Sequence, residues 1–144
     1  MNESKPPETP KGPEQIEQLN IKVLLADDEE FIRVASIHLL QRMGCTVKEV
    51  ENGQQLLEEL KSNPEEYGLV ITDVRMPVLN GLKALEQIRA DNRFERLPII
   101  VNSGTFTPAE IELVRTFNAL HLQKGSGINL FFTTVRQAVG RGKA

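Results

Sequence analysis

Leu69–Gly81 reads LVITDVRMPVLNG. An apolar run ends on an aspartate, Asp73, and four positions later the chain meets Pro77. A strand that is apolar throughout is covered on both faces, as in a parallel sheet. A carboxylate has no place inside such a strand. Its carboxyl end is different, because that edge is where open α/β sheets bind ligands. Asp73 is therefore either a turn residue that follows a strand or a reactive group displayed on a rigid one.

The sequence on either side alternates between strand and helix patterns. Residues 21–26 (IKVLLA) form a short β-rich run. Residues 29–44 read as a helix, with Ile32, Ala35, Leu39 and Met43 at helical spacing and Gly44 as its stop. Residues 45–50 alternate like a strand with one exposed face, and 53–62 form a helix that ends before Pro64. The central strand, 69–73, is followed by a helix over 81–90 and a strand over 97–103, with Pro98 near its start. The fourth helix, 107–118, opens with Thr107 as N-cap, Pro108 at the first helical position and Glu110 three residues on. A fifth strand at 119–123 and a fifth helix at 128–139 complete the pattern. Five strands alternating with five helices through short loops predict an α/β fold: one doubly wound, five-stranded parallel sheet with helices on both faces.

Bulk composition agrees. The 144 residues suffice for one ordinary domain, and 40% apolar with 26% charged content is an ordinary soluble profile. A net charge of −3 gives no general affinity for nucleic acid or anionic membrane. The single cysteine, Cys45, has no internal disulfide partner, which suits a reduced, cytoplasmic setting. No segment has the apolar length of a membrane span, and the amino terminus lacks the apolar core of a signal peptide. Residues 1–19 are rich in Pro, Glu, Lys and Gln and read as a disordered leader or linker. The expected domain runs over 20–140, and 141–144 form a small basic tail.

Candidate functional residues fall at the strand ends. Asp27 and Asp28 follow the first strand, Asp73 the third, Ser103 the fourth and Lys124 the fifth. In a doubly wound sheet these positions share one edge, so groups far apart in sequence converge. Crowded carboxylates repel unless a cation joins them, and hard oxygen ligands with room for water suit Mg²⁺. Mg²⁺ and a lysine together neutralise and align a phosphoryl group in transfer. Each residue alone has a plainer reading, an Asp-Asp pair as a helix cap above all, but their joint placement on successive strand ends argues for a site.

The segments VLLADDEE, LVITDVRMPVLNG, LPIIVNSG and LHLQK, in this order and spacing, resemble the receiver domain of two-component response regulators. The resemblance covers about residues 20–140 and implies the flavodoxin-like fold of the CheY type. It implies that Asp73 is the phosphoacceptor, taking a phosphoryl group from a phosphohistidine of a sensor histidine kinase or phosphotransfer protein. Asp27 and Asp28 would hold Mg²⁺ with Asp73, Asp28 more directly, and the backbone carbonyl of Arg75 would be a further ligand. Lys124 would pair with the phosphoryl oxygens, and the hydroxyl of Ser103 would move to meet them. The switched surface would be that of the fourth helix, fifth strand and fifth helix, read by a downstream output domain or protein and available for homodimerisation. Such a domain is a phosphoacceptor that assists its own phosphorylation and dephosphorylation rather than an enzyme acting on a separate substrate.

Three positions depart from the family pattern. Gly125 stands where a proline usually follows the lysine, and Phe117 stands where the fourth helix usually ends near a glycine, leaving Asn118 to take the left-handed turn. His121 occupies the place of a switch tyrosine or phenylalanine, whereas His38 reads as a helix-surface residue. Arg75 and Thr105 hold positions that vary in the family, and the sequence assigns their side chains no role. A dehalogenase-like phosphatase would need a second acid where Arg75 stands, and an FMN carrier would need a Ser/Thr/Gly-rich loop in place of ADDEE. The remaining alternative is a receiver-fold docking or scaffold module that signals without phosphoryl turnover.

Overall fold

The computed structural model describes residues 16–142. In chain order the elements are β1 (Lys22–Ala26), α1 (Glu30–Arg42), β2 (Thr46–Val50), α2 (Gly53–Ser62), β3 (Leu69–Thr72), α3 (Gly81–Arg89), β4 (Ile99–Ser103), α4 (Pro108–Thr116), β5 (Leu120–Gln123) and α5 (Ile128–Gly142), with one 3-10 turn at Asn92–Phe94. The five strands form one parallel sheet in the order β2-β1-β3-β4-β5. All four residues of β3 are buried, as the apolar run starting at Leu69 requires of a central strand. The doubly wound topology expected from the strand–helix alternation is the one found.

Alternation along the strands divides the core into two layers. Leu24, Val70, Ile99 and Val101 face one side and pack with Leu56, Leu85 and Ile88 of α2 and α3. Val23, Leu25, Ile71 and Ile100 face the other and pack with Leu40 of α1 and Phe131 and Val135 of α5. Burial of each such side chain contributes roughly 1.5–3 kcal/mol, and this holds the strand ends in register. Local signals set the helix starts: Asn52 and Asn80 accept from the backbone amides of Gln55 and Lys83, and Thr107 and Glu110 form a reciprocal capping box. Asn118 ends the α4 connection with φ 55°, the left-handed turn expected of it.

Three local expectations differ from the structure. In α1 the fully inward residues are Ser36 and Leu40, with Met43 at the C-cap, while Ala35 is exposed and Ile32 and Leu39 are half-buried. Phe31 and Val34 lie outside at 84% and 57% exposure. Apolar residues occur all round this helix, so spacing alone did not orient it. The packed chain also begins before residue 20: Ile16 is buried, and the Leu19 amide donates to the Met43 carbonyl at 2.8 Å. The rest of the expected leader, 1–15, lies outside the described residues, as do 143–144, while Arg141 and Gly142 continue α5. Among the described residues, no helix is long and apolar enough to cross a membrane.

Candidate functional site

The sheet order reverses direction between β1 and β3, and the crevice of a doubly wound sheet opens at that point. Ala26 pairs with Thr72 at the end of the shared ladder. One residue further, the Asp73 amide donates to the Ala26 carbonyl at 2.9 Å and the Asp27 amide to the Val50 carbonyl at 3.2 Å. On the other side the Lys124 amide donates to the Ser103 carbonyl at 2.8 Å. The ladder thus runs one step past the strands and sets Asp27, Asp73 and Lys124 on rigid backbone.

Lys124 Nζ lies 2.8 Å from Asp73 Oδ2, 3.1 Å from Asp27 Oδ2 and 2.7 Å from Glu29 Oε1. Asp27 and Asp73 are buried, with side chains 3% and 6% exposed. The second Asp73 oxygen accepts from the Val74 amide at 2.7 Å, and that of Asp27 from the Glu29 amide at 2.9 Å. Burial pushes the Asp27 carboxyl above its ordinary pKa, against the opposing pull of the Glu29 amide and Lys124. Burial opposes the charge on Lys124 too, but hydrogen bonds to Asp73, Glu29 and Asp27 outweigh it and hold the ammonium above its ordinary pKa.

Carboxylate oxygens of Asp27, Glu29 and Asp73 all lie within 4.8 Å of one another. Three carboxylates against one ammonium leave excess negative charge on hard oxygen donors, a set that fits a cation of the Mg²⁺ class. Asp28, expected beside Asp27, is exposed, and its carboxylate is not among the three. The chain turns toward α1 there, so neighbouring side chains diverge.

Below the cluster, Gly81 opens α3 so close to Asp73 that a Cβ on it would sit 1.8 Å from the Asp73 carbonyl oxygen. The motif's glycine therefore lets α3 start directly under the phosphoacceptor candidate. Between them Pro77-Val78-Leu79 makes a tight turn: the Leu79 amide donates to the Pro77 carbonyl at 2.7 Å, with Val78 at φ 70°. Such a three-residue turn is rare and strained, and more so on a β-branched residue.

Ser103 is buried at the end of β4, and its hydroxyl donates to the Thr105 carbonyl at 2.9 Å. The Arg75 guanidinium reaches over from the loop after β3 to both of them and to Glu110. His121 is exposed on β5, with its ring edge-to-face against Phe106 at 5.4 Å between centroids. His38 is exposed on α1, as expected. Gly125 follows Lys124 at φ 83°, a conformation closed to proline.

Glu29, Arg33 and Glu110 belong to this region and escaped the sequence reading. Arg33 donates to the Asp27 carbonyl at 2.7 Å and pairs with Glu49 at 2.8 Å, pinning the β1 end from α1. Glu29 had a signal, four consecutive acids, but spacing does not say which of them turn inward. Glu110 read fully as a capping residue, which it also is.

The family model for the response regulator receiver domain matches residues 23–131. Chemotaxis protein CheY1 of Helicobacter pylori strain J99 is 37% identical over 92 residues, covering 63% of this chain and 73% of that protein. The CAI-1 autoinducer sensor kinase/phosphatase CqsS of Vibrio cholerae is 31% identical over 96 residues, 66% of this chain and 14% of that protein. Chemotaxis protein CheV2 of Helicobacter pylori is likewise matched over 32% of its length. Among solved structures, chemotaxis response regulator CheY4 of Vibrio cholerae superposes with a TM-score of 0.73 at 25% identity, covering 83% of this chain and 99% of that one. Motif order, sheet topology and family match all lead to the same assignment: the chain belongs to the response regulator receiver domain family.

Proposed function

We propose that Asp73 accepts a phosphoryl group from the phosphohistidine of a sensor histidine kinase or phosphotransfer protein, in a Mg²⁺-dependent reaction. The observation that carries this is the Asp73 carboxylate itself, held at the sheet's switch point between Lys124 and the Val74 amide and beside two further acids. A carboxylate oxygen of Asp73 forms the new P–O bond while the P–N bond of the donor breaks, and the imidazole nitrogen leaves with the electron pair. Lys124 stays cationic through any neutral pH and is within reach of an oxygen of the transferred group. Asp27 and Asp73 would hold Mg²⁺, together with Glu29 or Asp28 and the Arg75 carbonyl. When bound, the ion supplies charge neutralisation for the phosphoryl oxygens.

Ser103 is the switch hydroxyl in this reading: it leaves the Thr105 carbonyl to donate to the phosphoryl group, and the loop to α4 moves with it. The message then passes to the α4-β5-α5 surface, where Leu113 and the edge-to-face Phe106–His121 pair are available to an output domain, an output protein or a second copy. His121 would report the change through that ring contact. The chain acts in this way as a phosphoacceptor domain of the cytoplasm with no nucleic-acid or membrane contact of its own.

Intact mass after incubation with a small acyl phosphate and Mg²⁺ tests the reading. One phosphoryl adduct is expected on the wild-type chain, and none on Asp73→Asn or in EDTA. An unmodified wild-type chain under conditions that saturate it with Mg²⁺ would favour the docking module instead.

A further inference from the structure

Outside the carboxylate cluster, the Arg75 side chain ties three residues of the β4–α4 connection together. One guanidinium nitrogen donates to the Thr105 carbonyl at 3.1 Å and lies 3.3 Å from the Ser103 hydroxyl oxygen. The other donates to both carboxylate oxygens of Glu110, each at 3.0 Å. Glu110 is the third residue of α4, and its Oε1 also accepts from the Thr107 amide at 2.9 Å. A residue two positions after Asp73 is thereby tied to the whole β4–α4 connection: the switch hydroxyl, the loop carbonyl and the helix cap. The Glu110 carboxyl is held below its ordinary value, first by the Thr107 amide and then by Arg75, so it remains an anion at neutral pH.

Taking Asp73 as the phosphoacceptor, we infer that Arg75 is a positioning residue that holds the β4–α4 loop in its unphosphorylated arrangement through Glu110. Ser103 gives its one proton to the Thr105 carbonyl, and Arg75 grips that same carbonyl. The hydroxyl is thus kept turned from Asp73 for as long as the loop stays clamped. Donation to a phosphoryl oxygen requires that hydroxyl to let go, which shifts the loop and works against both contacts of the guanidinium. The clamp biases a two-state element by its own free energy and no more. Surface ion pairs correspond to about a two- to fivefold change in such an equilibrium. The planar guanidinium explains the residue type, since one terminal nitrogen meets the Glu110 carboxylate while the other faces the loop, a division that a single ammonium cannot hold in fixed geometry.

The test compares wild-type chain with Arg75→Ala, Glu110→Gln, the double variant and Arg75→Lys. Glutamine retains the capping geometry at the third helical position, so Glu110→Gln removes the ionic partner alone. Amide hydrogen exchange over residues 104–110 of the unphosphorylated protein is read first, then the rate of phosphorylation by a small acyl phosphate. Each single variant is expected to speed loop exchange and phosphorylation about two- to fivefold. The double variant should do no more than either single one, and Arg75→Lys should fall between them and the wild type. Additive effects, or unchanged loop exchange in both single variants, would overturn the clamp. So would opposite signs in the rate, slower for Arg75→Ala and faster for Glu110→Gln, since Arg75 would then act on the phosphoryl group itself. The exchange measurement needs no phosphoryl transfer, so absence of an adduct from every chain refutes the phosphoacceptor reading separately.

Discussion

Asp27 is buried, carries a raised pKa and faces a second carboxylate, so the folded chain holds a charge there that it would shed more readily than the unfolded one. A carboxyl whose folded pKa lies above its unfolded value stabilises the fold below that unfolded value, and the contribution is lost as pH rises through the folded pKa. At neutral pH the ionised group is therefore a net cost. Asp27→Asn should raise the melting temperature in metal-free buffer, by about 0.5–2 kcal/mol of stability, and the gain should shrink as pH falls through the raised folded pKa and vanish below the ordinary carboxyl value of 3.8. A less stable Asp27→Asn at pH 7 would mean that the Lys124 pair outweighs burial. The same site predicts the opposite for Gly81. A methyl group there meets the Asp73 carbonyl oxygen, so Gly81→Ala should lose about 1–3 kcal/mol in denaturant unfolding. Asp27, Asp73 and Lys124 were legible because each follows an unmistakable strand. Glu29 was not, because side-chain direction in a turn depends on dihedral angles that residue type does not fix.

Among the elements, the connection from β3 to α3 holds the clearest strain. Val78 sits at φ 70° and is 80% exposed, so its side chain gains little from burial to offset the backbone cost. Val78→Asn should keep the turn and raise stability by roughly 0.5–1 kcal/mol, because asparagine tolerates the left-handed region. Thermal melting checks it, and a loss would show the valine making contacts that the exposure does not suggest. β4 carries a second local conflict. Asn102 lies on the face shared with Ile100, is buried, and its side-chain oxygen has no hydrogen-bond partner among the described residues. Asn102→Val should gain about 1 kcal/mol by removing a buried amide from an apolar layer. Sequence periodicity found the five strands and five α-helices but not the 3-10 turn at Asn92–Phe94; the apolar runs of β1, β3 and β4 and the capping box at Thr107 were the clearest signals. It failed on the facing of α1, where Phe31, Ile32, Val34, Ile37, Leu39 and Leu40 surround the axis and only the sheet decides which are covered.

The whole molecule reads as a rigid sheet delivering charge to one edge. Its topology was legible because parallel strands need crossover helices and right-handed crossovers leave few arrangements. The docking of Ile16 and Leu19 was not, because two apolar side chains in a polar stretch look like chance until α1 and β2 provide somewhere to dock. A cation that binds only the folded edge stabilises every part of the domain through mass action, about 2.7 kcal/mol at a hundredfold excess over its dissociation constant. Mg²⁺ should accordingly raise the melting temperature of the wild-type chain and leave that of Asp27→Asn nearly unmoved. The most direct measurement is chemical location of the phosphoryl group. The chain is phosphorylated with a small acyl phosphate and Mg²⁺, reduced with borohydride, and mapped by peptide mass spectrometry. Reduction of an aspartyl phosphate leaves homoserine, and the account predicts homoserine at position 73 and at no other aspartate. Homoserine elsewhere, or a phosphoryl adduct that survives reduction as an ordinary ester, would contradict it.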